Sequence, residues 1–172
     1  AIRSQAADIP PIHDIATETA NPPVFSQTVL DQRAAAGANP LNDYTTPLGE
    51  LEMWSEFEPP LADRSHAQVI AAAYPDLAPL PLGSTSPAEA SELVVSAMEE
   101  MGFDQVTADA ETGRIEGVAE TFWFGFKDDM VVRIADGAID FRSVSRVGVS
   151  DLGANAARIA ALRDAVAERL NR

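Results

Sequence analysis

The rhythm of apolar and polar residues changes twice along this chain. From Ser86 onward the spacing is helical: Ala90, Leu93, Val94, Ala97, Met98 and Met101 recur at three- and four-residue steps and form one stripe. Ser86-Pro87-Ala88-Glu89 opens that helix with a capping serine, a proline suited to the first helical position and a glutamate placed to complete a capping box. Gly102 closes it. The period then shortens to two. Strands are predicted over Phe103–Ala108, Arg114–Phe126, Met130–Ala135 and Ala138–Val147. Glu111-Thr112-Gly113, Lys127-Asp128-Asp129 and Asp136-Gly137 read as the intervening turns, the last being a strong hairpin signal. After a polar turn at Gly148–Gly153 the helical period returns, with Ile159, Leu162, Val166 and Leu170 on one face.

The first half reads differently. All 12 prolines lie at or before Pro87. Proline fixes φ and disfavours helix in the residue before it, so residues 1–27, with Pro10-Pro11 and Pro22-Pro23, read as an extended arm. Short helices are predicted over residues 28–37, ending at Gly37, and 65–73, stopped before Tyr74-Pro75. Residues 48–58 match neither period, and "YPDLAPLPLG" reads as a turn and an extended run.

This order predicts an α+β fold. A four-stranded antiparallel sheet carries two helices on one face, α-β-β-β-β-α, preceded by the Pro-rich arm. Residues 1–172 form a single domain: a wrapping arm over 1–85 and an α+β core over 86–172, with 86–171 as the self-contained folding unit.

Composition narrows the function. Apolar residues make up 46%, enough for a sizeable core. The formal charge is −15, from 12 basic and 27 acidic residues, which argues against nucleic-acid partners and anionic lipid. Both halves are acidic. The absence of cysteine removes disulfides, thiolate catalysis and Cys-ligated zinc. No apolar run approaches the ~20 residues of a membrane span. The opening "AIRSQAADIPPIHD" resembles the stretch just after an export signal or membrane helix, so anchoring is expected through an upstream segment outside this chain.

Four blocks carry a family resemblance: "IHDIATETANPPVF" (Ile12–Phe25), "AAYPDLAPLPL" (Ala72–Leu82), "RIEGVAETFWFGFKDDMVVRI" (Arg114–Ile134) and "RSVSRVGVSDLGANAARI" (Arg142–Ile159). In that order they resemble the bacterial and plastid family known as domain of unknown function 1499. The resemblance implies an envelope-associated, often membrane-anchored protein in bacteria and a chloroplast location in plants. It implies no established activity.

Four groups of residues are candidates for chemistry. Arg142 and Arg146 share one face of the fourth predicted strand, and Arg133 lies on the strand before it. Their guanidinium forks suit carboxylate or phosphate ligands, or alternatively pair with Glu116, Glu120 or Asp140. The turn "VGVSDLGAN" leads into a helix N-terminus, where free N–H donors favour anions, while Ser150, Asp151 and Asn155 are equally good capping residues. Phe122, Trp123 and Phe124 put aromatic rings on both faces of a strand, as packing or as an apolar groove. Asp128-Asp129 reads as a solvated turn rather than a cation loop. His13-Asp14 and the second histidine, His66, have no metal-ligand or general-base spacing.

No nucleophile-elbow, zincin, P-loop or dinucleotide fingerprint occurs, and no catalytic residue, metal or cofactor is assigned. The reading is a non-catalytic binding or protein-interaction module of the bacterial cell envelope, on the periplasmic side. A partner contact would use Arg133, Arg142, Arg146, Asp151 and Asn155. The alternatives are a small-molecule or lipid carrier with a groove between sheet and arm, and a hydrolase or transferase of unknown substrate.

Overall fold

A computed structural model describes residues 9–121 and 124–171. The fold is α+β, built on one antiparallel sheet. Helix α3 (Pro87–Glu100) starts where the pattern places it: Pro87 occupies the first turn and Ser86 Oγ accepts from Glu89 N at 3.2 Å. Strands β3 (Asp104–Asp109), β4 (Arg114–Glu120), β5 (Lys127–Ala135) and β6 (Ala138–Ser145) come next, and helix α4 (Ala154–Leu170) closes the chain.

The sheet has six strands rather than four. The added strands, β1 (Asp14–Ala16) and β2 (Leu80–Pro81), both come from the segment expected to be an arm and both pair with the outer edge of β6. The spatial order is β1-β6-β5-β4-β3. Strands this short leave no readable alternation, and β6 supplies the hydrogen-bonding edge that holds them.

Two further corrections concern the β4–β5 hairpin. β4 ends at Glu120, not Phe126, and Lys127-Asp128-Asp129 begins β5 instead of forming the turn. Glu120 pairs with Lys127, Ala119 with Asp128 and Val118 with Asp129. Asp128 and Asp129 are 3% and 1% exposed, because arginines from other elements neutralise them inside the sheet.

The two faces of the sheet are covered by different parts of the chain. Ile115, Met130, Val132, Ile139 and Phe141 point to the face covered by α3 (Val94, Ala97, Met98) and α4 (Ile159, Leu162, Val166). The opposite face carries Glu116, Asp129, Val131, Arg142 and Val144. It is covered by residues 17–46, including helix α1 (Gln27–Ala35), with Phe25 buried against Val131 and Val144. Helix α2 (His66–Ala73) starts at a reciprocal capping box formed by Ser65 and Gln68. With two short 3-10 turns at Leu48–Glu50 and Glu52–Trp54, it brings Leu48, Trp54, Val69 and Ile70 into the same core as Ile12, Ile15 and the helices. Burying a side chain the size of Trp54 contributes on the order of 2–3 kcal/mol, so the first half supplies a large share of the core.

Candidate functional site

β6 organises the site. Its alternation, continued one residue past Ser145, aims Arg142, Val144 and Arg146 at the face under the N-terminal segment and Ser143 and Ser145 at α4. β1 pairs beside it, with Asp14 opposite Val144 and Ala16 opposite Arg142. Asp14 therefore sits diagonally across from Arg142. Arg142 Nε and Nη2 donate to the two Asp14 oxygens at 3.0 and 2.9 Å, and Nη1 donates to Pro23 O at 3.0 Å. The guanidinium lies between two rings, 5.2 Å from the Tyr44 centroid and 5.8 Å from that of Phe25. Tyr44 Oη donates to Asp14 Oδ1. Arg142 is 6% exposed and Asp14 0%.

Electrostatics follow from this burial. Desolvation pushes the Asp14 carboxyl up, but the charge and hydrogen bonds of Arg142 and the Tyr44 hydroxyl outweigh it, and the pKa lies below the ordinary carboxylate value. Burial also opposes the charge on Arg142, and Asp14 more than restores it. The Tyr44 hydroxyl is raised well above its ordinary value by burial and by the Asp14 charge. The site is thus one permanent ion pair with a protonated phenol donating to it.

A second buried ion cluster, of one acid and two arginines, lies one strand over. Asp129 accepts from Arg33 Nη1 at 2.7 Å and from Arg146 Nε and Nη2 at 2.9 and 2.8 Å. Arg33 reaches in from α1, and its Nη2 donates to Asn39 O at 2.8 Å. The remaining polar groups of this face also hold the N-terminal segment. Glu116 accepts from Ser26 N, Thr17 Oγ1 donates to Asp140, and Arg133 donates to Asn21 O at 2.8 Å while lying 3.8 Å from Asp140.

The turn before α4 is occupied by its own side chains. Asp151 accepts from Gly153 N at 2.7 Å and from Asn155 N and Nδ2 at 3.3 and 2.8 Å. Burial raises its pKa, and these hydrogen bonds limit the rise. Asn155 is 0% exposed; it accepts from Ser143 Oγ at 2.5 Å and donates to Ser145 Oγ at 2.8 Å, clamping α4 to β6. The five residues expected to form one partner surface are therefore divided between the two sides of the sheet. Arg133, Arg142 and Arg146 lie under the N-terminal segment, and Asp151 and Asn155 lie at α4.

Sequence reasoning set aside the residues that complete the buried cluster. His13 stacks on Trp54 with centroids 5.6 Å apart, and His66 stacks on Tyr44 at 5.6 Å while meeting Trp54 edge-on at 5.1 Å. His13 Nδ1 lies 2.8 Å from Val149 O, and Trp54 Nε1 donates to Pro11 O at 2.7 Å. Both histidines are 0% exposed. His66 has neither ring nitrogen hydrogen-bonded among the described residues, and burial lowers its pKa to about 4. The only local signal was the adjacency of His13 and Asp14; period two sends His13 to one side and Asp14 to the other. Among the described residues no group of three or more His, Cys, Asp or Glu side chains is arranged to hold a metal ion.

Two surface features complete the picture. A groove of about 290 Å³ runs between α1 and β3–β4, lined by Ser26, Gln32, Gln105, Thr107, Arg114 and Glu116 among others. At one end of the sheet, the β4–β5 turn exposes Phe124 (76%) and Phe126 (47%), stacked at 5.5 Å. Of the expected aromatic groove, Phe122 and Trp123 lie outside the described residues, and Phe124 projects into solvent. The β6–α4 loop at the same end exposes Val147 (58%) and Leu152 (76%).

No curated protein matches this chain. A family model described as "Protein of unknown function (DUF1499)" matches residues 14–166, and the chain belongs to that family. The match spans β1 through most of α4, so it takes in both members of the Asp14–Arg142 pair.

Proposed function

We propose that this member of the DUF1499 family is a non-catalytic binding module of the bacterial cell envelope, whose contact surface is the end of the sheet formed by the β4–β5 turn and the β6–α4 loop. One contrast carries the reading. The arginines and acids suited to ligand chemistry are turned inward on one another, whereas large apolar side chains are displayed together at this end. Interiors hold buried charges by pairing them, and clustered exposed apolar residues mark contact sites. The Asp14–Arg142 and Asp129 networks then act as the frame that holds this end rigid. Replacing Phe124 with a photo-crosslinking benzoylphenylalanine in living cells tests the reading. A discrete crosslinked species should form in the envelope fraction, and none from the same probe at the exposed Glu92 on α3. Crosslinks from position 92 and none from 124 would move the contact surface elsewhere.

A second reading, small-molecule carriage, draws on the groove between α1 and β3–β4. Its lining mixes hydroxyl, amide and charged groups with Val29, Ala108 and Val118, which suits a small ligand with both polar and apolar parts.

A further inference from the structure

Arg146 N donates to Lys127 O at 2.9 Å, which continues the β5–β6 pairing past Ser145, so both apolar loops leave the sheet at the same end. We infer that this end enters the headgroup region of a zwitterionic lipid bilayer, with Phe124, Phe126, Val147 and Leu152 as the inserting side chains. The inference rests on reading this end as the binding surface and adds what it binds.

Backbone satisfaction is the first argument. Polar groups placed near hydrocarbon must find partners within the protein. In the β4–β5 turn, Thr121 N donates to Phe126 O, Gly125 N to Thr121 O and Phe126 N to Thr121 Oγ1. In the other loop, Leu152 N donates to Ser150 Oγ, Gly153 N to Asp151 Oδ1 and Asn39 Nδ2 to Gly148 O. These bonds satisfy the named backbone groups from within the protein, so apolar side chains can go in without carrying these donors unpaired.

The backbone is strained where Leu152 is displayed. Leu152 has φ +53, a left-handed conformation that a bulky residue rarely adopts, and its side chain is 76% exposed. It contributes little to the core, yet the capped turn holds it outward. Such a device presents a side chain to something outside the molecule.

Charge selects the occupant. Residues 120–127 and 146–153 contain one lysine, one arginine, one glutamate and one aspartate, a net charge of zero, in a chain of −15. Two loops of zero net charge on a strongly acidic molecule suit a zwitterionic surface, whereas anionic lipid repels the rest of the chain. The apolar side chains project from two separate turns, which suits a deformable bilayer better than a rigid protein surface. Lys127, exposed next to Phe126, can keep its charge at headgroup level. Few side chains enter, so the contact is reversible and orients the domain.

The chain has no cysteine, so F124C, L152C and E92C each provide a single nitroxide attachment site. Position 92 lies beside the β3–β4 turn, at the other end of the sheet. With excess phosphatidylcholine vesicles, labels at 124 and 152 should gain accessibility to oxygen and lose it to a polar nickel chelate. The label at 92 should stay aqueous. Phosphatidylglycerol should weaken the effect. F124S/L152S, with an unchanged melting temperature, should lower vesicle partitioning by about tenfold. Aqueous labels at both 124 and 152, binding to phosphatidylglycerol vesicles alone, or equal immersion at 92 would overturn the lipid contact. A protein crosslinked through position 124 together with aqueous labels would overturn the lipid contact but leave the binding end intact. Loss of both signals would remove the two readings together.

Discussion

Asp14 and Arg142 are 128 positions apart in sequence, yet both nitrogens on one edge of the guanidinium bond both oxygens of the carboxylate, at 3.0 and 2.9 Å. The pair fastens the first strand to the sixth, under a roof made by Phe25 and Tyr44. Removing one member leaves the other buried and unpaired. Asp14→Ala and Arg142→Ala should each destabilise the fold by about 3–5 kcal/mol, and the double change Asp14→Leu/Arg142→Met should recover most of that loss. Urea unfolding of the wild type, the two single variants and the Asp14→Ala/Arg142→Ala double variant gives the coupling energy. A loss under about 1 kcal/mol for either single variant would mean the pair does not hold β1.

Acid should weaken the protein in two stages. His66 has a folded pKa of about 4 against an ordinary value of 6.5. Above 6.5 it is neutral in both states; below, the unfolded chain takes up the proton first. Stability therefore falls as pH drops from 6.5 towards 4, by roughly 1.4 kcal/mol per unit and about 3 kcal/mol in all. The Asp14 contribution, with a lowered folded pKa, is present above the unfolded value of 3.8 and is lost as pH falls through the folded one. His66→Phe keeps a ring against Tyr44 and should flatten the first stage only. Urea midpoints at several pH values check this, and an unaltered slope in His66→Phe would assign the effect to another group.

The segment over residues 86–171 should not fold by itself, contrary to what its uninterrupted patterning predicts. Ile12, Ile15, Leu48, Trp54, Val69 and Ile70 belong to the same buried cluster as α3 and α4, and Arg142 and Asp129 depend on Asp14 and Arg33. The isolated fragment should bind a hydrophobic dye and lack slow-exchanging amides. Adding the 1–85 segment in trans should restore protection. Native-like exchange in the fragment alone would refute this.

Two glycines with positive φ should respond differently to alanine. At Gly113 (φ +68) an added Cβ would lie 2.3 Å from Ile134 O, a backbone atom that cannot give way. At Gly37 (φ +63) no atom of the described residues lies within 4 Å. Gly37→Ala should cost on the order of 1 kcal/mol, for the backbone conformation alone. Gly113→Ala should cost several kcal/mol because the β3–β4 turn must also move. Equal melting temperatures for the two variants would show that the turn relaxes freely.

Local chemistry made much of this fold readable in advance. The start of α3 at Ser86-Pro87, the Asp136-Gly137 hairpin and the inward faces of α3 and α4 all depend on residues within a turn or two of one another. A linear reading captures such signals directly. The alternation of β6 likewise put Arg142 and Arg146 on one face and Ser143 and Ser145 on the other.

The tertiary structure alone decided which charges meet. Nothing near Asp14 announces Arg142, and nothing near Arg33 announces Asp129. These pairings arise because the first strand docks on the last one and α1 crosses the sheet behind it. The same cause explains the misread Lys127-Asp128-Asp129. Adjacent acids resemble a solvated turn until arginines from α1, the end of β6 and α4 neutralise them within a strand: Arg33, Arg146 just past Ser145, and Arg158. β1 and β2, three and two residues long, have too few positions to show a period and exist because β6 offers an open edge. Local preference acts over a few residues, whereas burial of charge is settled by contacts between distant segments; the sequence therefore determined the longer helices and strands, and the tertiary structure decided the short edge strands and which side chains pair.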